Sequence, residues 1–161
     1  MGYMEPMRIR AAEGRDVVAV TALVREVLAE FGLTLGQGSD TDAQLADLPG
    51  SYTRDGGAFF VAENEGQLVG TAGVSPVGEG TFELRKMYLV QGARRGKLGQ
   101  RLFEVCLEHV RARGGTRVVL DTTDEMKGAI AFYEKNGFVR DDAYLRGARC
   151  SRGYRLDLPK T

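Results

Sequence analysis

Apolar residues recur at Val17, Val20, Leu23, Val24, Val27, Leu28 and Phe31, the three- and four-residue spacing of one helix face, and Gly32 ends the run. Ahead of it, Met7 to Ala11 alternates about Ile9 and predicts a short strand. Residues 32–57 are polar and glycine-rich apart from an apolar pulse, Leu45 and Leu48, before Pro49; this predicts a short helix inside a long connection, a kind of segment that often carries function. Three strands are then predicted in quick succession, Ala58 to Glu63, Leu68 to Pro76 and Phe82 to Val90. The turns between them, Asn64-Glu65-Gly66 and Gly78-Glu79-Gly80, are short and contain glycine, which favours antiparallel neighbours. A long amphipathic helix follows from about Leu98 to Arg113, with Leu98, Leu102, Val105, Cys106, His109 and Val110 on one side and Gly114-Gly115 as its stop. Arg117 to Thr122 reads as a strand, Glu125 to Asn136 as a helix ending at Gly137, and Phe138 to Arg140 and Gly153 to Leu158 as the last strands.

A run of three hairpin-linked strands before a strand–helix–strand crossover is one that a pure doubly wound fold would not need. It makes an α/β (α+β) fold with a mixed, mostly antiparallel central sheet, flanked by helices on both faces, the economical architecture. At 161 residues, 43% hydrophobic and 27% charged, the chain is expected to form one domain over residues 1–161. Its 22 Lys+Arg balance 22 Asp+Glu, so no global positive field exists to hold a nucleic acid or an anionic membrane. No apolar stretch approaches the ~18 residues of a membrane span, and Pro6 stands where a myristoylation start at Met1-Gly2 would need Ser or Thr. Cys106 and Cys150 are too few and too far apart for a disulfide framework or a zinc site, so reduced thiols in a soluble, cytoplasmic protein without metal are expected.

The most informative stretch is Arg94-Arg95-Gly96-Lys97-Leu98-Gly99-Gln100-Arg101-Leu102, between a strand and the long helix. A helix N-terminus exposes unpaired N–H groups and a partial positive charge, and three cationic side chains join it here, so the turn suits a phosphate. A P-loop is excluded by spacing, because Gly92 and Gly96 enclose three residues and Lys97 precedes Leu98; no Gly-x-Gly-x-x-Gly is present. A solvated basic helix start would account for the same residues.

This turn resembles the phosphate-binding signature of the GCN5-related N-acetyltransferase (GNAT) family, Arg/Gln-x-x-Gly-x-Gly/Ala, with Arg94 and Gly99 matching its ends and Lys97 standing at its middle glycine. Downstream, Ala129-Ile130-Ala131-Phe132-Tyr133-Glu134-Lys135-Asn136-Gly137-Phe138 is similar to the family's Ala-x-x-Leu/Phe-Tyr-Glu-Lys-x-Gly-Phe segment almost residue for residue; Met126 stands where many members carry Asn. Asp121-Thr122-Thr123 precedes this helix, and either Thr is a candidate cap.

The resemblance implies transfer of an acetyl group from acetyl-CoA, as cosubstrate, to a primary amine of a small molecule, peptide or protein by direct attack. It implies that backbone N–H groups of Met87 and Leu89 hold pantetheine and polarise the thioester, and that Arg94, Arg95, Gly96, Lys97, Leu98, Gly99 and Gln100 take the pyrophosphate. Tyr133 matches the tyrosine that protonates the departing thiolate. Glu83 is the candidate general base, because strand alternation would set it on the face of Met87 and Leu89; pairing with Arg85 or Lys86 is the plainer alternative. His109 and Cys106 read as packing residues. The connection with Tyr52, Asp40, Asp42, Asp47 and Asp55 is expected to wall the acceptor pocket, its acids favouring a cationic amine unless they are simply solvated. A homodimer is the assembly to test. Two other readings are a non-catalytic acyl-CoA-binding module and a nucleotide-binding regulatory domain.

Overall fold

The computed structural model describes residues 7–36, 41–94, 96–147 and 149–159. Seven strands form one sheet in the order β1-β2-β3-β4-β5-β7-β6. They are β1 (Arg8–Ala11), β2 (Ala58–Asn64), β3 (Gln67–Gly78), β4 (Thr81–Leu89), β5 (Arg117–Thr122), β6 (Val139–Arg140) and β7 (Arg152–Asp157). Every neighbouring pair is antiparallel except β4 and β5, so the expected mixed, mostly antiparallel sheet is observed. The helices are α1 (Val17–Glu30), α2 (Gly50–Thr53), α3 (Leu98–Ala112) and α4 (Lys127–Lys135), with the 3-10 segment Asp42–Asp47 ahead of α2. None is long and apolar enough to cross a membrane, among the described residues.

Alternation along the strands builds a core on each face. Phe59 and Val61 of β2 pack with Val20, Val24 and Leu28 of α1, Leu45, Leu48 and Tyr52. Ala62, Ala72, Val74, Phe82, Leu84, Val118 and Leu120 face the other way, against Leu102, Phe103, Cys106 and Val110 of α3 and Ile130 and Tyr133 of α4. The predicted stop of α3 acts through backbone geometry: Gly114 takes φ +74°, and a Cβ on Gly115 would lie 2.3 Å from Val110 Cγ1. The expected threonine cap of α4 is not observed. Met126 holds the N-cap position without a capping side chain, and Thr123 Oγ1 donates to Glu125 instead.

Candidate active site

Two irregularities of β4 create the site. The first is a bulge. Thr71 of β3 faces Tyr88 and Gly73 faces Arg85, so three steps on β4 answer two on β3, and Lys86 takes φ +54°. Thr71 Oγ1 donates to Lys86 O at 2.7 Å across the irregularity. Because the inserted residue reverses the alternation, Glu83, Arg85 and Tyr88 share the α1 face while Met87 and Leu89 pack with α3. The expected common face for Glu83, Met87 and Leu89 is therefore wrong, and the bulge is the reason.

The second irregularity is a splay. β4 and β5 pair only from Thr81↔Arg117 to Glu83↔Val119, although β4 runs on to Leu89 and β5 to Thr122. Val90 N–H donates to Val69 O of β3 at 3.0 Å, so alternation turns the N–H of Leu89, and two residues back that of Met87, away from β3. Those are the two donors expected to meet pantetheine, and they point toward the opening.

On the α3 side of the opening lies a groove lined by Met87, Leu89, Gly96, Lys97, Gly99, Gln100 and Tyr133. The first helical bond of α3 runs from Arg101 N–H to Lys97 O at 3.0 Å, and among the described residues no side chain caps the N–H groups of Leu98, Gly99 and Gln100. Gly99 sits where α3 crosses the end of β4; a Cβ there would come within 3.3 Å of Leu89 Cδ1. The described residues of the turn thus lie together at one end of the groove, with three departures from expectation. Leu98 is 4% exposed and its side chain belongs to the core, leaving only its backbone to an anion. The Gln100 amide donates to Asn136 Oδ1 at 2.9 Å and ties α3 to the end of α4. Arg94, expected to take the pyrophosphate, is held bidentately by Glu30 of α1 at 2.9 and 2.7 Å, with its Nε donating to Leu89 O at 2.9 Å. Arg95 lies outside the described residues, as does Asp40. Arg101 and Lys135, not anticipated as site residues, also line the groove; their i, i+4 offset from Lys97 and placement in the Tyr133 motif were the available signals.

On the other side of the splay is a second cavity, lined by Glu83, Arg85, Thr122, Thr123, Tyr133, Arg146 and Cys150 among others. Glu83 is 5% exposed, receives Arg85 Nε at 2.5 Å and lies 3.5 Å from Arg146 NH1, so it is a buried, paired carboxylate rather than a surface one. Tyr133, 7% exposed, lines both cavities, as do Met87, Tyr88, Met126 and Ala129. Burial raises the Tyr133 hydroxyl well above its ordinary pKa, so it stays protonated at neutral pH.

The connection before β2 behaves differently from expectation. Tyr52 is fully buried edge-on to Phe59 at 5.1 Å and does not wall the cavity. Asp42 is not a solvated acid open to a cationic amine: it binds the Lys86 ammonium, accepts from Arg149 at 2.9 and 3.1 Å, and accepts from Gly36 N–H at 2.6 Å. Burial opposes its ionisation, yet these donors hold it down to about 2. Asp47 pairs with Arg54 outside the cavity. Among the described residues, Thr41 and Leu33 are what this region contributes to the lining, beside Leu28 of α1. His109 and Cys106 are packing residues as read: His109 Nε2 donates to Gly56 O at 2.9 Å beside Phe82, and burial pushes the Cys106 thiol up to about 12.

Residues 21–138 match the family model described as Acetyltransferase (GNAT) family. The Escherichia coli K12 protein named "Uncharacterized N-acetyltransferase YjgM" is 36% identical over 135 residues, 81% of either chain. Among solved structures, a GNAT-family acetyltransferase of Staphylococcus aureus Mu50 superposes with a TM-score of 0.87 at 22% identity, covering 96% of this chain and 100% of that one. The PaiA N-acetyltransferase of Thermoplasma acidophilum, solved with coenzyme A, superposes at 0.78 with 18% identity, covering 95% and 99%. With a family model spanning most of its length and a relative at this identity, the chain belongs to the GNAT acetyltransferase family.

Proposed function

We propose that this acetyl-CoA-dependent acyltransferase moves an acetyl group to a primary amine of a small molecule or peptide by direct attack, as one domain acting in the cytoplasm. The observation that carries the reading is the shared wall at the splay: the groove from the α3 N-terminus and the cavity holding Glu83 meet at Met87, Tyr88 and Tyr133. A donor entering by one and an acceptor by the other would have their reacting atoms side by side, which is the positioning a two-substrate transfer needs.

The pyrophosphate lies against the N–H groups of residues 98–100, with Lys97 and Arg101 beside it, and pantetheine runs along β4 to the N–H groups of Leu89 and Met87. The acceptor nitrogen, once neutral, attacks the thioester carbonyl carbon; the C–S bond breaks and the sulfur leaves as thiolate. Tyr133 gives its hydroxyl proton to that thiolate and is restored by the proton the nitrogen sheds as it becomes an amide, while Glu83 takes the proton that the ammonium must lose beforehand. No acyl-cysteine is involved: burial pushes both thiols up to about 12, so neither supplies a thiolate near neutral pH.

The test is release of coenzyme A thiol from acetyl-CoA across a panel of primary amines. Amine-dependent release supports transfer. Acetyl-CoA binding, seen as a raised melting temperature, with no amine-dependent release from any acceptor would make the protein a binding module instead.

A further inference from the structure

The cavity beside Tyr133 has a charge pattern that describes its ligand. Its cationic lining is Arg85, Lys86, Arg146 and Arg149, and its acids are Glu83 and Asp121. Lys86 and Arg149 are both engaged by buried Asp42, and Arg85 by Glu83 and by Gln44 Oε1 at 3.2 Å. Arg146 is different. Its side chain is 60% exposed, and its one ion-pair contact among the described residues is the 3.5 Å approach to Glu83. A guanidinium offers five N–H donors in a fixed fork, so most of its capacity faces the cavity and solvent.

The backbone beneath Arg146 is held in place. Asp121, on β5, accepts from Arg146 N–H at 2.8 Å and from Gly147 N–H at 2.7 Å with the same oxygen. Cys150 N–H donates to Gly147 O at 3.0 Å, Ser151 N–H to Thr122 O at 2.8 Å, and Arg149 to Asp42. The loop is thus fastened at several points, while the side chain it carries at the cavity mouth is left open. That is the arrangement of a preorganised anion receptor rather than of a solvated surface arginine.

We propose that the acceptor is an amino acid: a small amine carrying a carboxylate one or two carbons away, its carboxylate held by Arg146 and its amine directed to Glu83 and Tyr133. The separation follows from the geometry, because Arg146 and Glu83 are 3.5 Å apart and one ligand must satisfy both. The assignment rests on the transfer reading above and refines its acceptor. It replaces the cationic amine expected from the acids of residues 40–55, of which Asp42 is already consumed by Lys86 and Arg149.

The experiment compares, for acetyl transfer, the common α-amino acids with their carboxamides and decarboxylated amines. For the amino acids turned over, kcat/KM is expected to exceed that of the matching carboxamide at least tenfold. Arg146→Ala is expected to bring that ratio to near one through KM, Arg146→Lys to restore part of it, and both variants to keep the acetyl-CoA-induced rise in melting temperature. Carboxamides or simple amines used as well as the acids, or an unchanged ratio in Arg146→Ala, would overturn the proposal. Should no amine be acetylated, the transfer reading fails and the site is read by binding: melting of the coenzyme A-loaded protein must still rise with amino acids more than with carboxamides, and an equal or absent response overturns the assignment.

Discussion

The Tyr133 ring packs edge-on against Phe132 and Phe138, with centroids 5.9 and 5.6 Å away, whereas its hydroxyl has no hydrogen-bond partner among the described residues. Removing the oxygen therefore leaves packing intact. Tyr133→Phe is expected to bind acetyl-CoA normally and to slow the chemical step by ~10²–10⁴-fold, the usual worth of a positioned general acid. A single-turnover rate checks this without interference from product release. An unchanged chemical step would reduce Tyr133 to a packing residue. Tyr133 was legible because its motif is local, ten consecutive residues on one helix and its cap. Asp42 and Arg149 were not, because their pairing spans 107 positions and neither residue type in a polar loop signals burial. The partner that makes a buried acid tolerable is invisible until the fold brings it in.

Between elements, the α3 N-terminus and the β4 bulge do most to shape the site. Gly99 allows α3 to approach Leu89 closely, and its N–H belongs to the uncapped first turn. Gly99→Glu adds both bulk and negative charge there, so the folded variant is expected to lose the rise in melting temperature that acetyl-CoA gives the native protein. A preserved rise would move the pyrophosphate elsewhere.

The Asp42 cluster fastens three elements to one another: the connection after α1 through Gly36, the bulge through Lys86, and the loop before β7 through Arg149. Its carboxyl is depressed from 3.8 to about 2, so the native state favours the ionised form. That contribution is complete above about pH 4 and is lost as pH falls from about 4 to 2, amounting to about 2 kcal/mol. Asp42→Asn should flatten this part of the pH–stability curve and cost about 3 kcal/mol at neutral pH, since it leaves the buried Lys86 ammonium without its carboxylate and weakens the hold on Arg149. Denaturant unfolding across that pH range measures both; a variant as stable as the native protein would show that the cluster adds nothing.

The bulge also marks where strand reasoning stopped. Hydrophobic period placed all seven strands to within a residue or two at most ends, since that signal averages over several positions. One inserted residue at Lys86 carries no such signal, because lysine has no preference for positive φ, yet it moved Glu83 to the opposite face from Met87 and Leu89.

For the whole molecule, the order of elements foretold a mixed sheet, and from it follow the one parallel pair, the splay beside it and the two cavities that meet there. What element order could not supply is charge: a chain with 22 cations against 22 anions gathers four cationic side chains around the cavity. In the mechanism proposed above, the two cavities bring acetyl donor and amine together for transfer without an acetylated protein. That mechanism is tested most directly by mixing the protein with stoichiometric acetyl-CoA, labelled in the acetyl group, and an amine that supports thiol release. The label, the free thiol and the protein's intact mass are then followed through one turnover. N-acetylated amine and free thiol are expected to appear at the same rate and in equal amounts, with the protein mass unchanged throughout. Label passing first onto Cys106, Cys150 or any other residue, or thiol appearing no faster than in the absence of protein, would contradict the mechanism.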